Sequence, residues 1–413
     1  MDSTYTYPKL RSPLDIRWQK IENELALVLQ CPSGVTEEPL FLVPAVAPIL
    51  QLFEGNLSSE EILSHFAKDG LTREVLNGLI KLLDDKLFLA NARFFVAEQG
   101  VRDAFQSSTV RAATRAGFVY PAEPSELRKM VEGLLVVPGA ESKPDTRELL
   151  CLMAPHIDYR RGGRCYGATY PRIAPASADL FILMGTAHKY SRHIFHLCAK
   201  DFACPLSTFP CDTEFVTRVS HRYGIKRSFA DEYLHKNEHS LELQLPFLGA
   251  LKPGATIAPI LVGSFHHMVA AGKLPHEFDE YESFVSSLIE AIRSKEAEGK
   301  RVCFIAGVDM AHVGRQFGDE GALSQEGMQV IARRDEQYLS AIRKGDKTTL
   351  FNHICEDGDA RRICGFPTMY TIMDILERTE NSYDCDVISY DQAVDYKSDC
   401  AVTYAGAAMY RRA

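Results

Sequence analysis

From residue 149 onward the chain alternates short, unbroken apolar runs with longer stretches of helical period. Leu149-Leu150-Cys151-Leu152-Met153 runs into Ala154-Pro155-His156, Leu180-Phe181-Ile182-Leu183-Met184 into Gly185-Thr186-Ala187-His188, and Val302-Cys303-Phe304-Ile305 towards Asp309 and His312. Helical patterns fall at 212–222, 236–249, 278–294, 324–343 and 366–378, and the small and β-branched stretch 401–410 reads as a last strand at or beside a sheet edge. Apolar runs without alternation are what strands buried on both faces require. The pattern therefore predicts an α/β domain with a mostly parallel central sheet flanked by helices. Such open sheets build their sites beyond the carboxyl ends of the strands, so the tips of these runs, with a fourth loop bearing Cys364-Gly365, are expected to meet at one metal.

The first ~95 residues are patterned differently. Leu25-Ala26-Leu27-Val28-Leu29 and Leu40-Phe41-Leu42-Val43 suggest a hairpin, followed by three helical patterns at 47–53, 57–63 and 72–83 and a short returning strand at Leu87-Phe88-Leu89. The second pattern opens with serines ahead of acids and the third with Thr72, both cap signatures. The arrangement resembles a winged helix and the PqqD-type peptide-recognition domains. It lacks a Lys/Arg-rich helix, so protein or peptide contact fits better than DNA, and a plain docking or structural cap fits equally. The stretch 96–145, with Pro138-Gly139-Ala140-Glu141-Ser142-Lys143-Pro144, reads as a linker containing a helix that begins near Ser125 and leads into the main domain. The boundary is placed near 105, giving a winged-helix-like domain and linker over 1–105 and a metal-site domain over 106–413.

Composition narrows the partners. The 413 residues are 46% apolar and 24% charged, with a net charge of −9, which gives no electrostatic reason to expect nucleic acid or an anionic membrane. Eleven scattered cysteines, an odd number, and a start with neither a charged nor an apolar leader segment point to reduced thiols in a cytoplasmic setting. No apolar run approaches the ~18 to 20 residues of a membrane span. Small molecules or peptides are the expected substrates.

A single histidine seldom ligates a metal, so the constellation matters more than its members. Imidazole and thiolate donors together suit iron, copper or zinc, whereas magnesium and calcium sites want several oxygen ligands. Cys364 precedes Gly365 and a helix start that favours thiolate, while Cys151 and Cys303 sit within apolar runs as core residues, and Cys198, Cys204 and Cys211 are too widely spaced for a metal knuckle. His235 and His239 would share a helix face, but Lys236 stands where a zinc protease needs its glutamate; capping by Asn237 or Ser240 is the structural alternative, and Glu238 and His239 remain pocket candidates. Neither a nucleophilic-serine elbow nor a phosphate-binding glycine loop is present.

Six motifs in order resemble the Memo family, whose bacterial members include AmmeMemoRadiSam system proteins. They are Ala154-Pro155-His156, Gly185-Thr186-Ala187-His188, the Glu238–247 stretch Glu-His-Ser-Leu-Glu-Leu-Gln-Leu-Pro-Phe, Val308-Asp309-Met310-Ala311-His312, Ile363-Cys364-Gly365 and Tyr404-Ala405-Gly406. The resemblance implies a fold similar to class III extradiol ring-cleaving dioxygenases. It further implies a metal, iron or copper, held by His156, His188 and Cys364, with Asp309 and His312 beside it as an acid/base pair and Glu238 and His239 lining the pocket as further catalytic candidates. Asp158 and Lys189 depart from the family pattern, and Asp158 is expected to bring an extra carboxylate to the edge of the site.

The expected function is therefore a metal-dependent redox protein or oxidoreductase, His312 being oriented by Asp309 to move protons. Two rivals stand beside it. One is a non-catalytic binding module whose N-terminal domain recruits a peptide or a radical-enzyme partner; the other is a zinc-dependent hydrolase using the same ligands.

Overall fold

A computed structural model describes residues 6–12, 14–21, 24–31, 35–36, 38–136 and 147–412, in two compact units, Met1–Ser108 and Thr109–Ala413. The Pro/Gly-containing linker stretch at 138–144 and the first five residues lie outside the described residues.

In the N-terminal unit, β1 (Asp15–Ile21), β2 (Glu24–Gln30) and β3 (Leu40–Leu42) form an antiparallel sheet in that order. Four helices follow, α1 (Ala47–Gln51), α2 (Ser59–His65), α3 (Arg73–Asp85) and α4 (Ala92–Ser107). Ser58 and Glu61 close a capping box on α2, and Thr72 caps α3 by accepting from Val75 N–H, as the sequence predicts. Leu27, Leu29 and Leu42 pack with Leu76, Ile80 and Leu83 of α3 in one small core. One strand is added and one expectation fails. β1 is an additional strand, legible in the alternation of Ile16 and Trp18 with polar residues. The expected strand at 87–89 reduces to one bridge between Leu89 and Leu10, because Leu87 adopts a left-handed backbone (φ 61°) that breaks an extended run.

The second unit starts with β4 (Val110–Arg111) and α5 (Pro124–Leu135), then β5 (Leu149–Ala154), α6 (Tyr159–Thr169), β6 (Leu180–Thr186), β7 (Phe195–Leu197), β8 (Asp201–Cys204) and β9 (Ser207–Phe209). Helices α7 (Thr213–Tyr223), α8 (Ile225–Phe229), α9 (His239–Glu242) and α10 (Leu245–Leu251) lead to β10 (Ile257–Val262), α11 (His266–Ala271), α12 (Asp279–Ala297), β11 (Val302–Gly307) and β12 (His312–Val313). The chain closes with α13 (Gln325–Lys344), α14 (Lys347–Cys355), α15 (Phe366–Arg378) and the long hairpin β13 (Tyr383–Asp395) and β14 (Cys400–Arg411).

The large sheet runs β12-β14-β5-β11-β6-β10-β7, with β13 also on β14. Its centre, β5, β11, β6 and β10, is parallel, whereas β14, β13, β12 and β7 pair antiparallel on the flanks. The sheet is therefore mixed, and β14 lies one strand in from the edge. Alternate residues of each central strand feed different cores. Leu180, Ile182 and Met184 enter one with Phe284 of α12 and Met369 of α15; Phe181 and Leu183 enter the other with Leu127 of α5 and Phe247 of α10. Coverage on both faces explains why these strands read as continuous apolar runs. Among the described residues no helix is long and apolar enough to cross a membrane.

The segment predicted as one helix over 236–249 is broken into α9 and α10. Glu238 caps α9 by accepting from the N–H groups of His239 and Ser240, a role expected of Asn237 or Ser240, and Pro246 opens α10 where its missing N–H costs nothing. The break places α9 over the ends of β6 and β11. A Cβ on Gly307 would collide with the Ser240 carbonyl, and one on Gly185 with the Ser240 and Leu241 side chains. Bare backbone at both strand ends is what allows the helix to lie there.

Three histidines of the described residues are buried outside the strand tips, His196, His235 and, on α14, His353, which burial also pulls down to about 4. His196 on β7 is fully buried with neither ring nitrogen hydrogen-bonded, and burial pulls it down to about 4. His235, whose Nε2 lies 3.0 Å from the His196 carbonyl, is pulled down to about 3 by burial. Both stay neutral when folded and take a proton near 6.5 when unfolded, so stability is complete above that value and falls as pH drops towards 4, His196 alone contributing on the order of 3 kcal/mol. Chemical denaturation midpoints should therefore be lower at pH 5 than at pH 7, and His196→Leu should flatten that dependence; an unchanged slope would remove His196 as its source.

Candidate metal centre

The loops after β5 and β6, together with α9, bring His156, His188 and His239 together, with one ring nitrogen of each within 4.8 Å of the others. Ring centroids are 4.8 Å apart for His156–His188, 5.2 Å for His156–His239 and 4.6 Å for His188–His239. The Nδ1 positions are all engaged. His156 Nδ1 lies 2.8 Å from the Gly307 carbonyl, and Glu238 Oε1 lies 2.9 Å from His188 Nδ1 and 3.1 Å from His239 Nδ1. Each Nδ1 faces an acceptor and so carries a proton, which leaves Nε2 as the position of each ring for a ligand; His156 and His239 are neutral there, while His188, whose charge Glu238 and Cys364 favour, must give up its second proton to ligate.

Glu238 does more than orient two rings. Its Oε2 accepts from His188 N–H at 3.0 Å and its Oε1 from His239 N–H at 2.8 Å, so one buried carboxylate fixes both backbones and both imidazoles. Burial opposes its charge, but the attraction of His188 and His239 wins and holds it well below the usual carboxylate range. His156 and His239 are lowered chiefly by burial, assisted by the neighbouring imidazoles, as neutral donors require. In His188 burial pulls downward, yet Glu238 and Cys364 raise it well above the ordinary value; about a third of its side chain reaches solvent.

Cys364 Sγ lies 3.3 Å from His156 Nε2, and the thiol also bonds to His188. Burial pushes the thiol up, opposed by His188. Its backbone is pinned by Thr186 Oγ1, which donates to the Cys364 carbonyl at 3.0 Å, and by Gly365 N–H, which donates to the Asp309 carbonyl at 3.1 Å. The loop can pass this close only because residue 365 has no side chain, since a Cβ there would meet Val308 and Asp309. The three imidazoles make a nitrogen donor set that a transition metal or zinc fits, and the Cys364 thiol, expected to be the third ligand, lies beside this trio, which His239 completes instead.

The acid/base group is organised differently from the sequence expectation. Asp309 does not orient His312. Its Oδ1 accepts from the N–H groups of His156 (2.8 Å) and Ile157 (3.2 Å), tying the end of β5 to the turn after β11, and its Oδ2 lies 3.7 Å from His156 Nε2. Two backbone donors outcompete an imidazole three residues away. His312 Nδ1 instead faces the carbonyls of Met310 (3.0 Å) and Arg362 (3.1 Å). Burial raises Asp309 to about 7 and lowers His312 to about 4. Asp158 caps α6 and pairs with Arg161 at 2.6 Å.

A buried ion pair that the sequence did not signal holds α9 in place. Arg111, in what read as linker, and Glu242 are both almost fully buried and 2.5 Å apart. Glu242 also accepts from Thr114 N–H and Oγ1, Arg115 N–H and Tyr120 OH, while Arg111 donates to the carbonyls of His235 and Glu238. A cleft of about 230 Å³ opens beside the cluster, lined by His188 and Cys364 together with Phe265, Val269, Arg362 and Phe366. Replacing Glu238 by Gln leaves the two rings with one acceptor oxygen and no charge, so metal affinity in chelator competition should fall about 10- to 100-fold. Unaltered affinity would show that the carboxylate does not organise the cluster.

Comparison with known proteins accords with this arrangement. The family description "Memo-like protein" matches residues 111–408, which contain every residue of the cluster. A "MEMO1 family protein" of Aquifex aeolicus is 26% identical over 386 residues, covering 93% of this chain and 96% of its own length, a span that takes in much of the N-terminal unit. One of Desulfurococcus amylolyticus is 26% identical over 311 residues, 73% of this chain and 99% of its own. One of Methanopyrus kandleri is 32% identical over 147 residues, 33% of this chain and half of its own. With the match extending across nearly all of the second unit, the chain belongs to the Memo-like protein family.

Proposed function

We propose that the protein is a metal-dependent redox protein or oxidoreductase of the Memo type, binding iron or copper through His156 and His188 with Cys364 and His239 as further donors. The observation that carries this reading is the set of imidazoles whose Nδ1 atoms all face acceptors, with a thiol 3.3 Å from His156 Nε2. Bound there, such a metal supplies electron transfer and polarises a small ligand.

The chain's own groups manage the protons. Asp309, poised at about 7, holds or releases one at Oδ2, 3.7 Å from His156 Nε2. His312, neutral above about pH 4 with Nδ1 against two carbonyls, offers Nε2 as an acceptor. A covered sheet with its site at the strand ends supports a fold similar to class III extradiol dioxygenases. Replacing their ligating carboxylate by imidazole and thiol argues for different chemistry. The N-terminal unit is proposed to contact a peptide or protein partner.

Anaerobically purified protein should carry close to one iron or copper per chain by elemental analysis. His188→Ala should abolish it and Cys364→Ser should lower it, with the far-ultraviolet circular dichroism of both variants unchanged. Full metal in both variants contradicts the reading, and zinc with no redox response turns it towards a hydrolase.

A further inference from the structure

The cleft beside the cluster has a distinct chemistry. Phe265, Val269, Phe366 and Pro367 give it an apolar wall, the rings of Phe265 and Phe366 meeting edge to face with centroids 5.8 Å apart. At about 230 Å³ it holds about eight water volumes, enough for a small organic molecule and too little for a folded peptide element. His188 of the cluster and the neighbouring Cys364 line it, so a ligand in the cleft lies beside the candidate metal centre.

Arg362 supplies its fixed positive charge. The residue holds a left-handed backbone, φ 51°, a strained conformation for a residue with a Cβ. Its Nη1 donates to the Ala360 carbonyl at 2.9 Å and the His312 carbonyl at 3.3 Å and pairs with Asp319 at 2.8 Å. These bonds all use Nη1, so the guanidinium is anchored at that nitrogen, and the Nε and Nη2 donors are the pair that a planar anion would take. The acid that lines the cleft, Asp359, competes weakly: burial raises its carboxyl, and its Oδ1 accepts from Ile363 N–H at 2.9 Å.

We propose that the cleft binds a small apolar carboxylate, its acid group on Arg362 and its hydrocarbon body against Phe265, Val269 and Phe366. This rests on the metal-site reading above for the claim that the bound molecule is the one the metal acts on.

Benzoate and its uncharged counterpart benzamide, titrated into the metal-loaded full chain and followed by ligand-observed NMR, test it. Benzoate should bind saturably and about tenfold more tightly than benzamide. Arg362→Gln should erase the difference and Arg362→Lys should restore part of it, with metal content and circular dichroism measured on the same samples. Equal affinity for the two probes, or a preference that survives Arg362→Gln, overturns the proposal while leaving the metal reading standing if metal is present. Benzoate preference in protein that holds no metal sustains the cleft and removes the function. Should Arg362→Gln fail to fold, Val269→Phe, which fills the apolar wall, must weaken both probes, and unchanged binding of both then overturns the assignment.

Discussion

The site depends on one buried carboxylate. Glu238 sits between His188 and His239, accepts from the Nδ1 side of each ring and from both backbone N–H groups, and caps the helix that carries the second ring. A buried charge is costly unless every lone pair is used, and here the use of those lone pairs is what aims two imidazoles at a common point. His156 joins them through a neutral acceptor, the Gly307 carbonyl, so the cluster combines one charged anchor with one uncharged one.

That carboxylate can act only because α9 is held against the sheet. Two contacts accomplish this. The Arg111–Glu242 pair is enclosed and fully hydrogen-bonded, the condition under which a buried ion pair specifies structure rather than weakening it. On the other side, Gly185 and Gly307 present bare backbone to Ser240, and Ser240 Oγ donates to the Thr186 carbonyl at 2.8 Å. Gln244 completes the clamp by donating to the Pro155 carbonyl at 2.9 Å and accepting from Tyr170 OH. The ends of β5, β6 and β11 are thus referred to one short helix, which itself carries the third histidine.

The sheet was readable because burial on both faces leaves a mark in composition that needs no partner to interpret: β5, β6 and β11 appear as apolar runs, and the residues after them as site candidates. The position of His239 was not readable to the same degree. A helical period across 236–249 hides the break at Leu243–Gln244, and only the cap formed by Glu238 shows that the following histidine turns towards the strand ends. Arg111 left no signal at all, since a lone arginine in a polar stretch looks solvated until its carboxylate partner is located 131 residues later at Glu242. Asp309 and His312 were found as neighbours in sequence, but an aspartate that can bond two backbone N–H groups does so, and sequence proximity cannot show which partner wins.

The imidazole tautomers bear most directly on the account. Long-range proton–nitrogen NMR of the full chain loaded with zinc as a diamagnetic probe reports which nitrogen of each ring carries hydrogen. His156, His188 and His239 should all be protonated at Nδ1, with Nε2 shifted by the metal. A proton at Nε2 of His188 or His239, or rings indifferent to the added ion, would contradict it.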